Sequence, residues 1–512
     1  MIAVSCRKAS SAFQVWALGV MTVTAGQMFA WNVGLFAGTV SFGIGVFVMG
    51  LAYLCMVFSI AEVSGVVAFR GGAYGLARCT LGFYSGFIVG CCELLEYSLF
   101  ATVNCMMVAQ TLAAQWPDLA PYTALLCLLT QAFSFGFVMF GGRIFWRIVV
   151  LLAVVGLAIL LLYYLSAMTV ANPAVYSGGM DFAIFDGFPL FVTALPQSTW
   201  LFSGIEGLNT LGSDLTDPKR VIPKGQVASM VTILVTSYCT YVTAIWSPPG
   251  IETLPFATGV MNGVFTAALG ITDASATMLT LPTLVASTIG LVLAAGNIMV
   301  AMAQSKLLPL KLGERHRRLE TNVNALAALL AVTSAMSLLL LYANSGNLTF
   351  FNVCMVFGLL AYIAQCAGFL YLRRRHKHME RSFVSPVGVP GAVFAMAVFT
   401  LTIISLFFCQ GDDYTVLVAT IAALAVLSAF YYLYAKKNQT LSDEEHALFF
   451  AHVAKFNERA KKKQSRTRKS FGPTAEKIRR KFQFKTSTVK PSTTRPSSIT
   501  VRPSSVWPST IT

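Results

Sequence analysis

Long apolar stretches divided by short polar breaks run through the chain from residue 13 to residue 435. A helix that crosses a bilayer needs about 20 mostly apolar residues. The pattern predicts twelve such segments, at 13–39, 41–67, 81–112, 121–141, 144–169, 187–211, 225–247, 274–304, 323–343, 349–372, 389–409 and 414–435. Arg7 and Lys8 precede the first in the manner of a secretory signal, but its apolar run is too long for one and further segments follow at once. The expected organisation is an amino-terminal stretch over 1–12, an all-α membrane body over 13–435 and a tail over 436–512.

The connections between segments alternate in charge. One set is basic: Arg70 and Arg78, Arg143 and Arg147, Lys219, Arg220 and Lys224, the runs Lys306 to Arg318 and Arg373 to Arg381, and then the tail. The other set has no Lys or Arg and carries acids such as Asp118, Asp181, Asp186, Glu252, Asp273, Asp412 and Asp413. Basic connections face the cytoplasm, so both termini are expected inside a multi-pass protein, with the plasma membrane as the expected location. One miscounted segment would scramble the alternation. Asn347-Leu348-Thr349 is a glycosylation sequon on the outer side, directly against the tenth segment.

Composition agrees with this class and excludes others. The chain is 56% hydrophobic and 11% charged, where a soluble domain carries roughly 25% charged residues. A soluble enzyme, a secreted disulfide scaffold and a nucleic-acid-binding domain are therefore ruled out. The net charge of +16 is concentrated in the tail, since residues 438–512 hold sixteen of the 37 Lys and Arg but five of the 21 acids. That tail, rich in Ser, Thr and Pro, cannot bury a core and reads as disordered apart from a helix near 442–463. It either stays solvated or adheres to anionic lipid. Most of the eleven cysteines sit in apolar runs as small hydrophobes, and all five histidines fall in loops or the tail, so no metal site is expected.

Polar chemistry inside the segments is confined to a few places. The first segment contains Thr24-Ala25-Gly26-Gln27-Met28-Phe29 and the sixth contains Trp200-Leu201-Phe202-Ser203-Gly204-Ile205-Glu206-Gly207. These are the leading members of two successive five-segment groups, and the odd spacing gives them opposite orientations. Interrupted helices in matching places point to an inverted-repeat transporter with its substrate at the breaks, whereas small residues alone point to close packing. An unwound turn exposes N–H groups at one half-helix end and C=O groups at the other, which together hold a zwitterion or an amine. Four acids also fall within segments. Glu93 and Glu96 share a face of the third segment with Tyr97 beside them, Glu206 follows the break in the sixth, and Glu62 lies towards the basic side in a structural position. Each intramembrane acid requires a partner or a function.

At these residues the chain resembles the amino acid–polyamine–organocation transporters. The likeness covers residues 13–435. It rests on Ala61-Glu62-Val63-Ser64 with Arg70-Gly71-Gly72-Ala73-Tyr74-Gly75, on Phe202 to Gly207 with Asp217 to Gly225, and on Ala301-Met302-Ala303-Gln304-Ser305-Lys306-Leu307-Leu308-Pro309. Phe29-Ala30-Trp31-Asn32-Val33-Gly34-Leu35 and Glu96-Tyr97 look most like the ethanolamine-permease branch. The resemblance implies a LeuT-like 5+5 inverted repeat with broken helices 1 and 6, followed by two further helices. It implies that Ala25, Gly26 and Gln27 meet the substrate's carboxylate and that Phe202, Ser203, Gly204 and Ile205 receive its amine. Glu206, Glu96, Glu93 and Tyr97 would then serve coupling and gating. Gln27 stands where the family's small-residue run ends in Gly; it either faces the ligand or caps the unwound turn. The expected function is secondary active transport of amino acids or small amines such as ethanolamine. A nutrient sensor that binds such ligands and signals through its tail is the alternative. No GxxxxGK[ST] loop is present, so a proton or sodium gradient, or exchange, is expected to supply the energy, with no other cofactor. No disulfide-linked accessory subunit is expected, because residues 113–120 have no Cys.

Overall fold

A computed structural model of the chain describes residues 11–185, 187–317, 319, 321–342, 347–377, 379–442, 445 and 446, without the side chains of 347–349. The chain divides into two units, Met1–Phe450 and Ala451–Thr512, and every described residue belongs to the first. The glycosylation sequon's side chains, most of the expected helix near 442–463 and the remainder of the basic tail lie outside the described residues.

The protein is an all-helical membrane protein. Its helices are α1 (Ala12–Met28), α2 (Thr39–Val66), α3 (Ala73–Thr80), α4 (Phe83–Gln115), α5 (Thr123–Phe140), α6 (Gly142–Val170), α7 (Gly187–Ala194), α8 (Pro218–Ile245), α9 (Asn262–Leu269), α10 (Asp273–Gln304), α11 (Val323–Tyr342), α12 (Asn347–Arg375), α13 (Gly388–Phe408) and α14 (Thr415–Phe430). Among the described residues ten helices are long and apolar enough to cross a membrane, and they correspond to expected segments 2–5 and 7–12. The first and sixth segments, the two with mid-span small and polar patches, do not form single long helices. Short helices α3 and α9 are connectors.

Three pairs of segments five places apart pack together: α2 lies against α8, α4 against α10 and α5 against α11. α1 packs chiefly on α8, α10 and α6 and touches the sixth segment more lightly. α4 and α10 form the centre, with 78% and 83% of their most apolar stretches buried, while α14 buries 17% of its own. Phe133 on α5, Leu161 on α6 and Val418 and Ile421 on α14 are exposed, as suits helix faces solvated by lipid tails. On the basic side Glu62 of α2 pairs with Arg381 at 3.0 Å and Arg373 at 3.8 Å, and accepts the Ser385 N–H at 2.8 Å. These bonds tie α2 to the α12–α13 connection, which gives this intramembrane acid a structural task.

Candidate functional site

The interruption of the first segment is built at Phe29 and Ala30. α1 starts where the Ser11 hydroxyl accepts the Gln14 N–H at 3.3 Å, an ordinary N-cap. It runs unbroken through Thr24–Met28, so the helix continues past the expected Ala25–Gln27 break and ends only at the far edge of the patch. Phe29 is extended and Ala30 has φ +74°, and a 3₁₀ turn follows over Trp31–Ala37. A helix end leaves carbonyls without partners. Here the Gln27 carbonyl accepts the Trp31 indole N–H at 2.9 Å, and the Met28 carbonyl accepts the Val260 N–H at 3.1 Å.

The sixth segment is interrupted more extensively. α7 gives way to a 3₁₀ turn over Leu195–Leu201, which carries Pro196, and a second 3₁₀ turn covers Ile205–Thr210. The hydroxyls of Ser198, Thr199 and Thr210 each donate to the carbonyl three residues back, at 2.6–2.7 Å. Such bonds favour the tighter i→i+3 turn over long runs that are otherwise uncommon. Between the turns Gly204 holds φ +100°, a conformation that side chains with a Cβ rarely adopt. Its N–H donates to both oxygens of the Glu206 carboxylate, at 3.1 and 3.2 Å.

The two interruptions meet around a chamber of about 30 Å³, lined by Thr22, Ala25, Gly26, Phe29, Phe100, Asn104, Trp200, Ser203, Ser287 and Leu291 among others. That is room for about two water molecules. No charged side chain lines it. Gly26 lets the helices approach this closely: a Cβ there would collide with the Trp200 carbonyl oxygen. Asn104 donates to the Ser287 hydroxyl at 3.2 Å across the α4–α10 wall.

The chamber is one of a series of spaces. Towards the acidic side a cavity of about 380 Å³ is lined by Thr111, Gln115, Asn262, Asp273 and Thr277, and shares Phe29 with the chamber. Towards the basic side a void of about 10 Å³ shares Thr22 and Leu291 with the chamber and adds Gly204, Thr210 and Leu211. A further cavity of about 180 Å³ shares Leu293 with that void and is lined by Ser213, Asp214, Asn297 and Arg315. Wide spaces on both sides therefore narrow to Phe29 on one flank of the chamber and to Thr22 and Leu291 on the other.

Behind Ser203 lies a cluster of buried acids. The Ser203 hydroxyl bonds Tyr53 at 3.0 Å. Tyr362 donates to Glu96, and three residues on, Gln365 donates to Glu93 at 2.9 Å. The hydroxyls of Tyr97 and Tyr362 face Glu206. Glu93, Glu96 and Glu206 are 0–1% exposed, and among the described residues no Lys, Arg or His forms an ion pair with any of them. One oxygen of Glu93 and one of Glu96 accept no hydrogen bond. Three such carboxyls cannot all be ionised together in so dry a site, because each isolated buried charge is costly.

Of the residues expected to bind substrate, Ala25, Gly26 and Ser203 line the chamber. Gln27 does not: its amide donates to Thr236 and Ser237 hydroxyls at 2.9 Å and to the Ile233 carbonyl at 3.4 Å, all on α8. The helical register turns it away, because α1 stays helical through Met28. Phe202 packs on Tyr53 and Tyr238 rather than over the chamber, Gly204 lines the inner void, and the Ile205 carbonyl accepts from Gln226 at 3.4 Å. Asn104, Phe100, Ser287 and Leu291 line the chamber without having been singled out in the sequence. For Phe100 and Asn104 the sequence does carry a signal, since Glu93, Tyr97, Phe100 and Asn104 recur at helical spacing along one face of α4.

A bundle of membrane-crossing helices that closes around a small neutral chamber has the form of a multi-pass transport protein. The chain belongs to the amino acid permease family, which it matches over residues 11–434. It is similar to an uncharacterized transporter of Rhizobium meliloti (strain 1021), with 27% identity over 237 residues. The match takes in 44% of this chain and 50% of that relative, so the chain spans half the length of the relative it matches.

Proposed function

We propose that the protein is a secondary active carrier of small amino acids or amines such as ethanolamine, working by alternating access across twelve spans in a LeuT-like inverted repeat. The observation that carries this reading is the series of spaces through the molecule. Two wide cavities on opposite sides close onto one chamber where both interrupted helices meet. The pairing of segments 2, 3 and 4 with segments 7, 8 and 9 is what two superposed five-helix repeats of opposite orientation would produce. In this reading the basic side is cytoplasmic. The present conformation is closed on both sides, and widening the Phe29 constriction or the Thr22–Leu291 constriction opens the chamber to one side at a time.

The chamber's chemistry favours small substrates. Thr22, Asn104, Ser203 and Ser287 offer neutral hydrogen bonds, while Phe29, Phe100 and Trp200 exclude bulk. Charged ends of a substrate would then be met by backbone dipoles at the breaks rather than by side-chain counter-ions. The test is uptake into proteoliposomes of labelled ethanolamine, alanine, serine, arginine and phenylalanine under separate proton and sodium gradients. Saturable uptake and exchange of one of the first three, with weak competition by the last two, is the expected outcome. Tight binding without flux would instead identify a sensor.

A further inference from the structure

The loop Arg70-Gly71-Gly72 is wedged across the basic-side end of the series of spaces. Arg70 pairs its backbone with Leu211, which lines the inner void, and its guanidinium donates to Gln304 at the end of α10 at 3.4 Å. Gly71 and Gly72 hold φ of +75° and +56°, and a Cβ on Gly71 would stand 2.6 Å from the Ala301 methyl. Leu211 therefore cannot move towards this side unless the loop moves too. The loop leads directly into α3, and α3 is fastened to the start of the tail. Arg78, 2% exposed, donates to the Tyr74 hydroxyl at 2.8 Å and the Thr440 carbonyl at 3.2 Å, and pairs with Glu445 at 3.1 Å. The Thr440 N–H donates to the Ser305 carbonyl at 2.9 Å, just past α10.

Ser442 and Glu445 form a reciprocal cap that presents the acid to Arg78. The Glu445 carboxylate accepts the Ser442 N–H at 2.7 Å, and the Ser442 hydroxyl accepts the Glu445 N–H at 3.3 Å. Both ion-pair side chains are 1% exposed. A pair buried this deeply contributes little net stability against its desolvation cost, while losing one partner strands a charge. It is suited to selecting one arrangement over another.

We propose that Thr440, Ser442 and Glu445 form a latch in which Glu445 grips Arg78, holds the Arg70–Gly72 loop against Leu211, and keeps the basic-side end of the path shut until the start of the tail withdraws. The inference rests on the reading of the spaces as a transport path, so its test needs no substrate. Full-length protein carrying Thr210→Cys is labelled from the basic side with an impermeant maleimide, and the Thr210→Cys peptide is followed by mass spectrometry. Thr210 lines the inner void and is 1% exposed, so its replacement reacts slowly while the path is shut. Adding Glu445→Gln raises the labelling rate at least about fivefold, the lower end of typical coupling between sites. In a second variant, Ser305→Cys with Thr440→Cys, oxidation lowers the rate by a similar factor and reductant restores it. Unchanged labelling in Glu445→Gln, failure of the disulfide to form, or a disulfide that leaves the rate unmoved overturns the latch. If Glu445→Gln does not accumulate, the disulfide variant decides alone. Absent uptake of every substrate would count against the carrier reading and leave these rates intact.

Discussion

Gln27 and Gly26 are neighbours with opposite orientations, and their substitutions separate packing from recognition. The Gln27 amide holds α1 to α8 through Thr236 and Ser237, and a lost hydrogen bond between buried groups costs about 1–3 kcal/mol. Gln27→Ala is therefore expected to lower the thermal midpoint of the purified protein while leaving the rank order of competing substrates unchanged. Gly26→Ala is expected to do more damage, since its Cβ would strike the Trp200 carbonyl oxygen, which belongs to backbone that cannot swing aside. Gly204→Ala meets nothing closer than 3.2 Å, from Thr22, but must adopt φ +100°, a strain of about 1–3 kcal/mol. Midpoints ordered wild type, then Gly204→Ala, then Gly26→Ala check this account, and an altered substrate order in Gln27→Ala would return that side chain to the chamber. At this scale the sequence is a partial guide. Composition marks the patch around Gly26 as unusual, but which of three adjacent residues faces the chamber depends on whether the helix has already ended. That is decided where the backbone turns at Phe29 and Ala30, and Ala30 has nothing unusual about it in the sequence.

Among elements, the long helices were legible because length and apolarity suffice to define them. The interruptions were legible as to which segments carry them but not in form. The Ser203–Gly204 patch marks the break in the sixth segment, whereas the first segment breaks at Phe29 and Ala30, past the expected Ala25–Gln27 turn, because partners distant in sequence, Val260 and Gly259, take up the freed backbone. Phe29 is consequently held at the junction between the outer cavity and the chamber. Phe29 is also buried in an apolar cluster with Met28, Met261 and Phe265, so Phe29→Ala removes core packing as well as most of the side chain that separates the two spaces. It should lower the thermal midpoint and open the chamber from the acidic side. Labelling of Asn104→Cys by an impermeant thiol reagent applied from that side is expected to rise at least about fivefold in the Phe29→Ala background. An unchanged rate would place the closure elsewhere. Cys79 on α3 reports on the opposite end, where burial pushes its thiol up to about 12, with the Glu445 carboxylate adding to the rise and Arg78 opposing it.

For the molecule as a whole, the carrier proposed above raises the question of what drives accumulation. The acid cluster sits one residue from the chamber wall: Ser203 lines the chamber, and the N–H of Gly204 is held by both oxygens of Glu206. In that proposal a proton added to Glu206 would weaken this acceptor and loosen the turn between the two 3₁₀ segments, linking proton occupancy to the shape of the sixth segment through a single carboxyl. Glu93 and Glu96, anchored on Gln365 and Tyr362 of α12, compete with Glu206 for negative charge in the same dry volume. One proton moved down a 100 mV potential supplies about 2.3 kcal/mol, equivalent to about fifty-fold accumulation at 1.4 kcal/mol per tenfold. Uptake by the wild type is therefore expected to rise when the acidic side is acidified and to persist without sodium. Glu206→Gln fixes the site in a neutral form that still offers one carbonyl oxygen to Gly204. It should abolish the pH dependence and accumulation against a gradient while retaining downhill exchange of labelled substrate. Tracer exchange and net uptake, measured in the same proteoliposomes between pH 5.5 and 8, separate these effects. Sodium-dependent uptake indifferent to an imposed pH gradient, or full accumulation by Glu206→Gln, would remove the proton from this cluster.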